Sequence, residues 1–227
     1  EILKNSLKKW HPDIKLILVG PDELNKVLAV DPQFFYRAAP AIARDLIKEY
    51  DTVIKIDADS IVTGDLSHTW EGDFDVACVN NSNPREVRKV VVSVVDIHPL
   101  SYLNCGYVVM KSKAFIDHWW RLCTSPHFNY YQYREQDLMN IMIFYGMYNV
   151  RLLDASNKWH GLVSKGFWQQ MVLRDGKLIL PMNNEWPKGE DKEIKIIHWA
   201  GGNEPNKMNF RLHFKPEVAK WLKQLAE

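Results

Sequence analysis

Cysteine is scarce. Three residues, Cys78, Cys105 and Cys123, stand in a chain of 227. They are too few and too scattered for a disulfide framework, and an odd number leaves one unpaired. They read as reduced thiols, which favours a cytoplasmic setting. An excess of one charge is missing too: 29 Lys and Arg face 28 Asp and Glu, a formal +1. A surface that coats nucleic acid carries strong local positive charge, so that class is set aside. No run approaches the roughly 18 apolar residues of a membrane helix. No signal-like stretch follows Glu1, which opens the chain in place of Met. Internal repeats, low-complexity tracts and obvious linkers are absent. What remains is an ordinary globular composition, 46% hydrophobic and 25% charged, able to bury a core. A single domain over residues 1–227 is the simplest expectation.

Residues 1–10 carry Ile2, Leu3, Leu7 and Trp10 near one helical face, with lysines elsewhere, and read as an amphipathic helix. His11-Pro12-Asp13 ends it, since the residue before proline avoids the helical region. The apolar run 15–19, stopped by Gly20-Pro21, suits a buried strand. Residues 22–30 read as a short helix capped by Asp22, and 38–50 as a longer one. Strands are expected at 52–56, 74–79, 90–95, 107–110, 150–153, 177–180 and 194–197. Helices are expected at 113–123, 135–145 and 216–225, the last with Pro216 at its start, where a missing N–H costs nothing. Strands alternate with helices through the first half. The expectation is an α/β domain with a mainly parallel central sheet flanked by helices.

The sharpest chemical signal is Val53-Ile54-Lys55-Ile56-Asp57-Ala58-Asp59. An apolar strand runs into two carboxylates, and in α/β sheets ligands sit beyond the carboxyl ends of strands. Two converging carboxylates repel unless a proton or cation lies between them. Mg²⁺ or Mn²⁺ is the natural guest, held by a few carboxylates and substrate phosphates. The bland alternative is a loop whose aspartates cap the following turn. A second signal is Ile194-Lys195-Ile196-Ile197-His198-Trp199-Ala200-Gly201-Gly202. Here a strand ends in an imidazole, which suits Mn²⁺ beside carboxylates, and glycines let backbone approach phosphate. Taken alone, such a histidine is more often a hydrogen-bonded structural one.

Two polar clusters follow. Arg134-Glu135-Gln136-Asp137-Leu138-Met139-Asn140 opens an apolar helix; it is either a functional set or a charged first turn that complements the helix dipole. Leu103-Asn104-Cys105-Gly106-Tyr107 is a tight polar segment before a strand, or an ordinary turn. Aromatic residues crowd the second half, among them Trp119-Trp120, Tyr130-Tyr131, Tyr133, Trp159, Phe167 and Trp168. They are an acceptor platform or simply core. Asn157-Lys158-Trp159-His160-Gly161 is the cluster with the better claim to a sugar-stacking role.

In this order (a helix bearing Arg37 and Arg44, strand–Asp-x-Asp, Asn-x-Gly–strand, Glu-Gln-Asp helix, strand–His-x-x-Gly) the chain resembles the GT-A-fold glycosyltransferases. It is most similar to the glycogenin-like and bacterial galactosyltransferase-like group, which retains anomeric configuration. The likeness runs from about residue 2 to about residue 206. It implies that Asp57, Asp59 and His198 hold Mn²⁺ (or Mg²⁺), which holds the diphosphate of a nucleotide-sugar. It implies a donor contact from Arg37, with Arg44 as second candidate. Asn104 and Gly106 fall where the family lines the donor-sugar pocket. Glu135, Gln136 and Asp137 fall where it grips sugar hydroxyls and flanks the anomeric carbon. Gly201 matches the glycine beside the phosphates. The family places lysine-proline after this motif; here Glu204-Pro205 stand there, and Lys207 is the candidate for the phosphate contact. The family's opening strand cradles the base, whereas this sequence starts at the helix that follows it, so no base-contacting residue is assigned.

The resemblance implies metal-dependent transfer of a sugar from a nucleoside-diphosphate sugar, with UDP the expected nucleotide, to a carbohydrate or other hydroxyl acceptor, with retention. Gln136 is a poor nucleophile, so attack from the leaving-group face is the expected route. Residues 80–99 and 158–170 are the expected acceptor side. Two alternatives stand beside this. A haloacid-dehalogenase-type phosphatase also has an apolar strand leading into Asp-x-Asp, although near its start. A nucleotide-sugar-binding module without turnover is the other.

Overall fold

Apolar strands at 76–80 and 103–110 form the middle of a four-stranded sheet. The fold is described from a computed structural model over residues 1–80, 102–146, 148–154, 159–160, 169–181, 190–198 and 214–227, with backbone alone at 21, 23, 27, 159 and 160. The expected strand at 90–95 lies outside these residues, as do Gly201, Gly202, Glu204, Pro205 and Lys207. The described helices are α1 (Ile2–Trp10), α2 (Pro21–Val30), α3 (Phe34–Leu46), α4 (Lys113–Cys123), α5 (Arg134–Tyr145) and α6 (Pro216–Ala226). The strands are β1 (Val53–Ile56), β2 (Ser60–Val62), β3 (Val76–Asn80), β4 (Leu103–Met110), β5 (Val150–Leu153), β6 (Trp159–His160), β7 (Val172–Arg174), β8 (Lys177–Leu180), β9 (Lys192–Glu193) and β10 (Ile196–His198).

The chain forms two compact units. One, of Lys15–Lys55 and Thr69–Leu153, contains the central sheet in the order β1-β4-β3-β5. That sheet is partly parallel: β3 pairs with β5 in parallel and with β4 antiparallel. Helices flank it. Ala43 of α3, Phe115, Ile116 and Trp119 of α4, and Leu138, Met139 and Met142 of α5 share one apolar cluster with Val76 and Cys78 of β3 and Val108 and Met110 of β4. Trp119 belongs to this core, with its indole N–H donated to the Glu135 carbonyl at 2.9 Å. Ser112 caps α4 by accepting the Phe115 N–H, the first-turn donor that a helix leaves unpaired.

The other unit, of Glu1–Ile14, Ile56–His68 and Asp154–Glu227, holds the sheets β2-β10-β6 and β7-β8-β9. Its core joins Ile61, Ile194 and Ile197 to Leu178 and Leu180 and to Val218, Leu222 and Leu225 of α6. Helix α1 is stitched in through Ser6, whose Oγ accepts the Val62 N–H at 3.0 Å, and Asn5, which donates to the Ala226 carbonyl at 2.9 Å. The strands β7 and β8 are joined by Asp175-Gly176, with φ of 50° and 75°. Positive φ at both central residues is the two-residue hairpin turn that matches strand twist. All three cysteines are buried with free thiols, and burial pushes the Cys78 thiol up to about 12.

Several expectations move, among them the cap at Asp22, which lies inside α2 because that helix begins at Pro21. The run 15–19 is no strand: Ile17, Leu18 and Val19 are exposed and pair with nothing in the sheet order. Apolar composition makes a strand only where a neighbouring strand takes the backbone hydrogen bonds. Helix α3 begins at Phe34 rather than 38, because Asp31 turns the chain into it, accepting the Gln33 N–H at 3.0 Å on its side chain and the Phe34 N–H at 2.9 Å on its carbonyl. Strand β4 begins at Leu103 rather than 107, for a reason that belongs to the polar residues themselves.

Candidate functional site

Asp57 directly follows β1 and Asp59 directly precedes β2. Strand β10 runs antiparallel to β2, with Ile196 opposite Val62 and His198 opposite Ser60. Thr63 extends the ladder, donating from its N–H to the Lys195 carbonyl at 2.8 Å and from Oγ1 to the Ile194 carbonyl at 2.6 Å. This register sets the buried His198 beside the turn that carries both aspartates. Its Nε2 lies 2.9 Å from Asp59 Oδ1 and 3.2 Å from Asp57 Oδ2. One ligand atom from each of the three falls within 4.8 Å of the others, the one such group among the described residues. Two ligands on adjacent corners of an octahedron with bonds of about 2.1 Å are about 3 Å apart. The two separations match that edge. Two carboxylate oxygens and one imidazole nitrogen are a donor set that suits Mn²⁺ or Mg²⁺. Both aspartates keep 31% of their side-chain surface open, while His198 is 4% open, so the carboxylates face solvent from a fixed imidazole. His160 is the register neighbour of His198 on β6, which runs parallel to β10.

The second polar group lies in the other unit, where α5 meets the start of β4. Asn140 brackets Leu103, accepting its N–H at 2.6 Å and donating to its carbonyl at 2.8 Å. Gln136 Oε1 accepts the Cys105 N–H at 3.0 Å, and Asn104 Oδ1 accepts the Gly106 N–H at 2.8 Å. Lys55 Nζ donates to the Cys105 carbonyl at 2.6 Å. These side-chain bonds add to the pairing of Leu103 and Asn104 with Asn80 and Val79 of β3, so this polar segment stays extended. The β3–β4 register shifts here, between Cys78 and Val79.

Asp137 is 1% exposed. Its Oδ1 accepts the Tyr102 hydroxyl at 2.6 Å and its Oδ2 the Tyr133 N–H at 2.8 Å. Burial raises its carboxyl above the usual range, and these two bonds oppose the shift. Burial and the adjacent Asp137 push the Tyr102 phenol far up, so it stays protonated and donates. The same hydroxyl accepts from Gln136 Nε2 at 3.2 Å. Both ends of the Gln136 carboxamide are therefore held. Glu135 sits half-buried one residue earlier, after Arg134, which has φ of 47°.

Arg37 pairs with Asp31 at 2.7 Å and lies 5.5 Å from the Phe128 ring centroid. Arg44 instead pairs with Asp117 at 3.0 Å. The structure thus brings Asp57, Asp59 and His198 together in one unit, and Asn104, Gly106, Glu135, Gln136 and Asp137 together in the other, while Gly201 and Lys207 lie outside the described residues. Tyr102 is the participant that sequence reading missed. Its one signal is a large aromatic residue abutting a polar segment.

Helices flanking a partly parallel sheet, with two strand-end acids beside an imidazole, define a class. The fold is that of the GT-A glycosyltransferases. The chain is similar to the galactosyltransferase LgtC solved in complex with donor and acceptor sugar analogues, at 14% identity and TM-score 0.58, over 99% of this chain and 89% of that one. An active-site mutant of LgtC matches at the same identity and coverage with TM-score 0.59. The bifunctional glycosyltransferase WbbM matches at 18% identity and TM-score 0.51, over 84% of this chain and 35% of that one. No family model and no curated protein sequence matches the chain. No described helix is long and apolar enough to cross a membrane.

Proposed function

We propose that this chain is a metal-dependent glycosyltransferase that moves a sugar from a nucleoside-diphosphate sugar, with UDP the expected nucleotide, to a carbohydrate or other hydroxyl acceptor. The observation that carries the reading is the convergence of Asp57, Asp59 and His198, with ligand atoms all within 4.8 Å. These residues would hold Mn²⁺ or Mg²⁺. When bound, such a cation neutralises charge on the departing diphosphate. The likeness to LgtC, solved with donor and acceptor sugar analogues, supports a donor and an acceptor for this chain.

The chain's own residues divide the remaining work. Asn104, Gly106, Glu135 and Gln136 are the proposed donor-sugar contacts, Arg37 is a further donor contact, and Gly201 and Lys207 are on the donor's phosphate side. Asp137 acts through Tyr102 and holds Gln136 in place. A carboxamide whose oxygen accepts a backbone N–H and whose nitrogen donates to Tyr102 is held in orientation while keeping one N–H and one lone pair for a sugar hydroxyl, and an amide is a poor nucleophile. That supports attack of the acceptor hydroxyl from the leaving-group face rather than through a covalent Gln136 intermediate. In that route the acceptor oxygen bonds to the anomeric carbon as the bond to the diphosphate oxygen breaks, and a diphosphate oxygen takes the hydroxyl proton. Anomeric configuration is then retained.

The test is a screen of nucleotide-sugars for Mn²⁺-dependent hydrolysis and transfer, with NMR of the product anomer. UDP release that stops on chelation, and in Asp59→Ala and His198→Ala, is the expected result. Release indifferent to chelation and to both substitutions refutes the site. An inverted anomer refutes the front-face route, and tight UDP binding without turnover on any donor points to a binding module instead.

A further inference from the structure

The unit that carries the central sheet has a concave feature on the outer side of α4. A cavity of about 580 Å³ opens there between α3, α4 and Tyr148, within the roughly 300–1,000 Å³ range of small-molecule sites. Its charge is one-sided. Arg44 and Arg121 line it, Lys113 stands one helical turn from its carboxylate, and Asp117 is the one acidic lining residue. Asp117 is already committed. It accepts from Arg44 Nε at 3.0 Å and pairs with Lys113, and these cations hold its carboxyl below the usual range. A second carboxylate, Asp75, bears electrostatically on Tyr148, but its Oδ2 takes the Asn149 N–H at 2.8 Å.

The guanidinium of Arg121 and the Nη groups of Arg44 make no hydrogen bond or ion pair among the described residues. The indole N–H of the half-buried Trp120 makes none there either. Beside these donors, the Tyr148 hydroxyl and His118 Nδ1 fix each other at 2.9 Å, and burial and Arg121 keep His118 below its ordinary range. The cleft thus offers fork-shaped cationic donors, which fit carboxylate or phosphate in a bidentate manner, beside an aromatic ring that takes the C–H face of a sugar.

We propose that this cavity binds an anionic sugar, its phosphate or carboxylate on Arg121 and Arg44 and its ring against Trp120. The site needs no divalent cation and stands independently of the transfer reaction above.

Titration calorimetry on the full chain in EDTA, with glucose 6-phosphate, glucuronate and glucose, tests it. At least one anionic sugar is expected to bind about tenfold or more tightly than glucose. Preference for glucose 6-phosphate assigns the anion as phosphate, and preference for glucuronate as carboxylate. Arg121→Ala and Trp120→Ala are each expected to weaken that binding about tenfold, and Arg121→Glu to abolish it. Binding of the anions no tighter than glucose, or unchanged binding in Arg121→Ala with an unaltered circular dichroism spectrum, overturns the proposal. Failure of nucleotide-sugar turnover leaves these titrations unaffected, so the two readings fail separately.

Discussion

Asp59→Asn separates a metal ligand from a turn cap by the sign and size of its effect with and without Mn²⁺. Ligand atoms of Asp57 and Asp59 lie within 4.8 Å of each other. Two unit charges at that separation repel by about 1–3.5 kcal/mol for effective dielectric constants between about 80 and 20. With both side chains 31% open, the low end applies. Asparagine removes that repulsion but weakens the bond from His198 Nε2 at 2.9 Å, which contributes about 1 kcal/mol. In EDTA the two nearly cancel, and the variant stays within about 1 kcal/mol of the parent. Saturating Mn²⁺ changes the comparison. At free metal about 100-fold above the dissociation constant, the parent gains about 2.7 kcal/mol, a rise of about 5–10 °C for a chain of this size. The variant gains little. Differential scanning fluorimetry in EDTA and in Mn²⁺ reads all four values. An equal loss of stability in both conditions, or an equal Mn²⁺ shift in parent and variant, refutes the assignment.

Tyr102→Phe strips a donor from the buried Asp137 and an acceptor from Gln136, so urea unfolding should show a loss of about 1–3 kcal/mol. Gly146→Ala puts a Cβ 2.3 Å from the Met142 carbonyl oxygen and 2.5 Å from the Tyr148 ring; a loss of about 1–3 kcal/mol in the same assay is expected from this overpacking. His11 is buried and accepts the Leu66 N–H on Nε2 at 3.0 Å, and its pKa is lowered, chiefly by burial and against the opposing pull of Asp65. Below pH about 6.5 the unfolded chain takes a proton that folded His11 resists. Stability therefore falls as pH drops from there to the folded pKa, by up to about 1.4 kcal/mol per unit, and denaturation of His11→Gln across that window should show a flatter limb.

The polar segment at 104–106 shows why some element boundaries were not legible. Asn104-Cys105-Gly106 has turn composition, and local propensity alone makes it a turn. Its pairing with β3 through Asn104 and Val79, the Gln136 bond to the Cys105 N–H and the Asn140 bonds to the preceding Leu103 all come from more than 20 residues away and keep it in β4. The run 15–19 is the converse case, strand-like in composition but with no neighbour to pair with in the sheet order. The Asp175-Gly176 hairpin turn is legible in the sequence, where an Asp-Gly pair between apolar stretches marks such a turn.

By itself the sequence determined the α/β class, the helix at 113–123 and, to within a residue, the one at 1–10, the strands at 150–153 and 177–180, and the two acids leaving a strand. Each of these rests on side chains close in sequence, where apolar period and strand-end chemistry speak directly. That His198 serves those acids was legible only through the family resemblance; local sequence could not place it there, and tertiary structure does. His198 stands about 140 residues downstream, and the β2–β10 register that sets it opposite Ser60 depends on which strands pair. The same holds for Asp137. An acid in a first helical turn reads as a solvated or sugar-gripping group, and only the packing of α5 on β4 buries it beneath Tyr102, because burial is a property of neighbours brought together from distant parts of the chain.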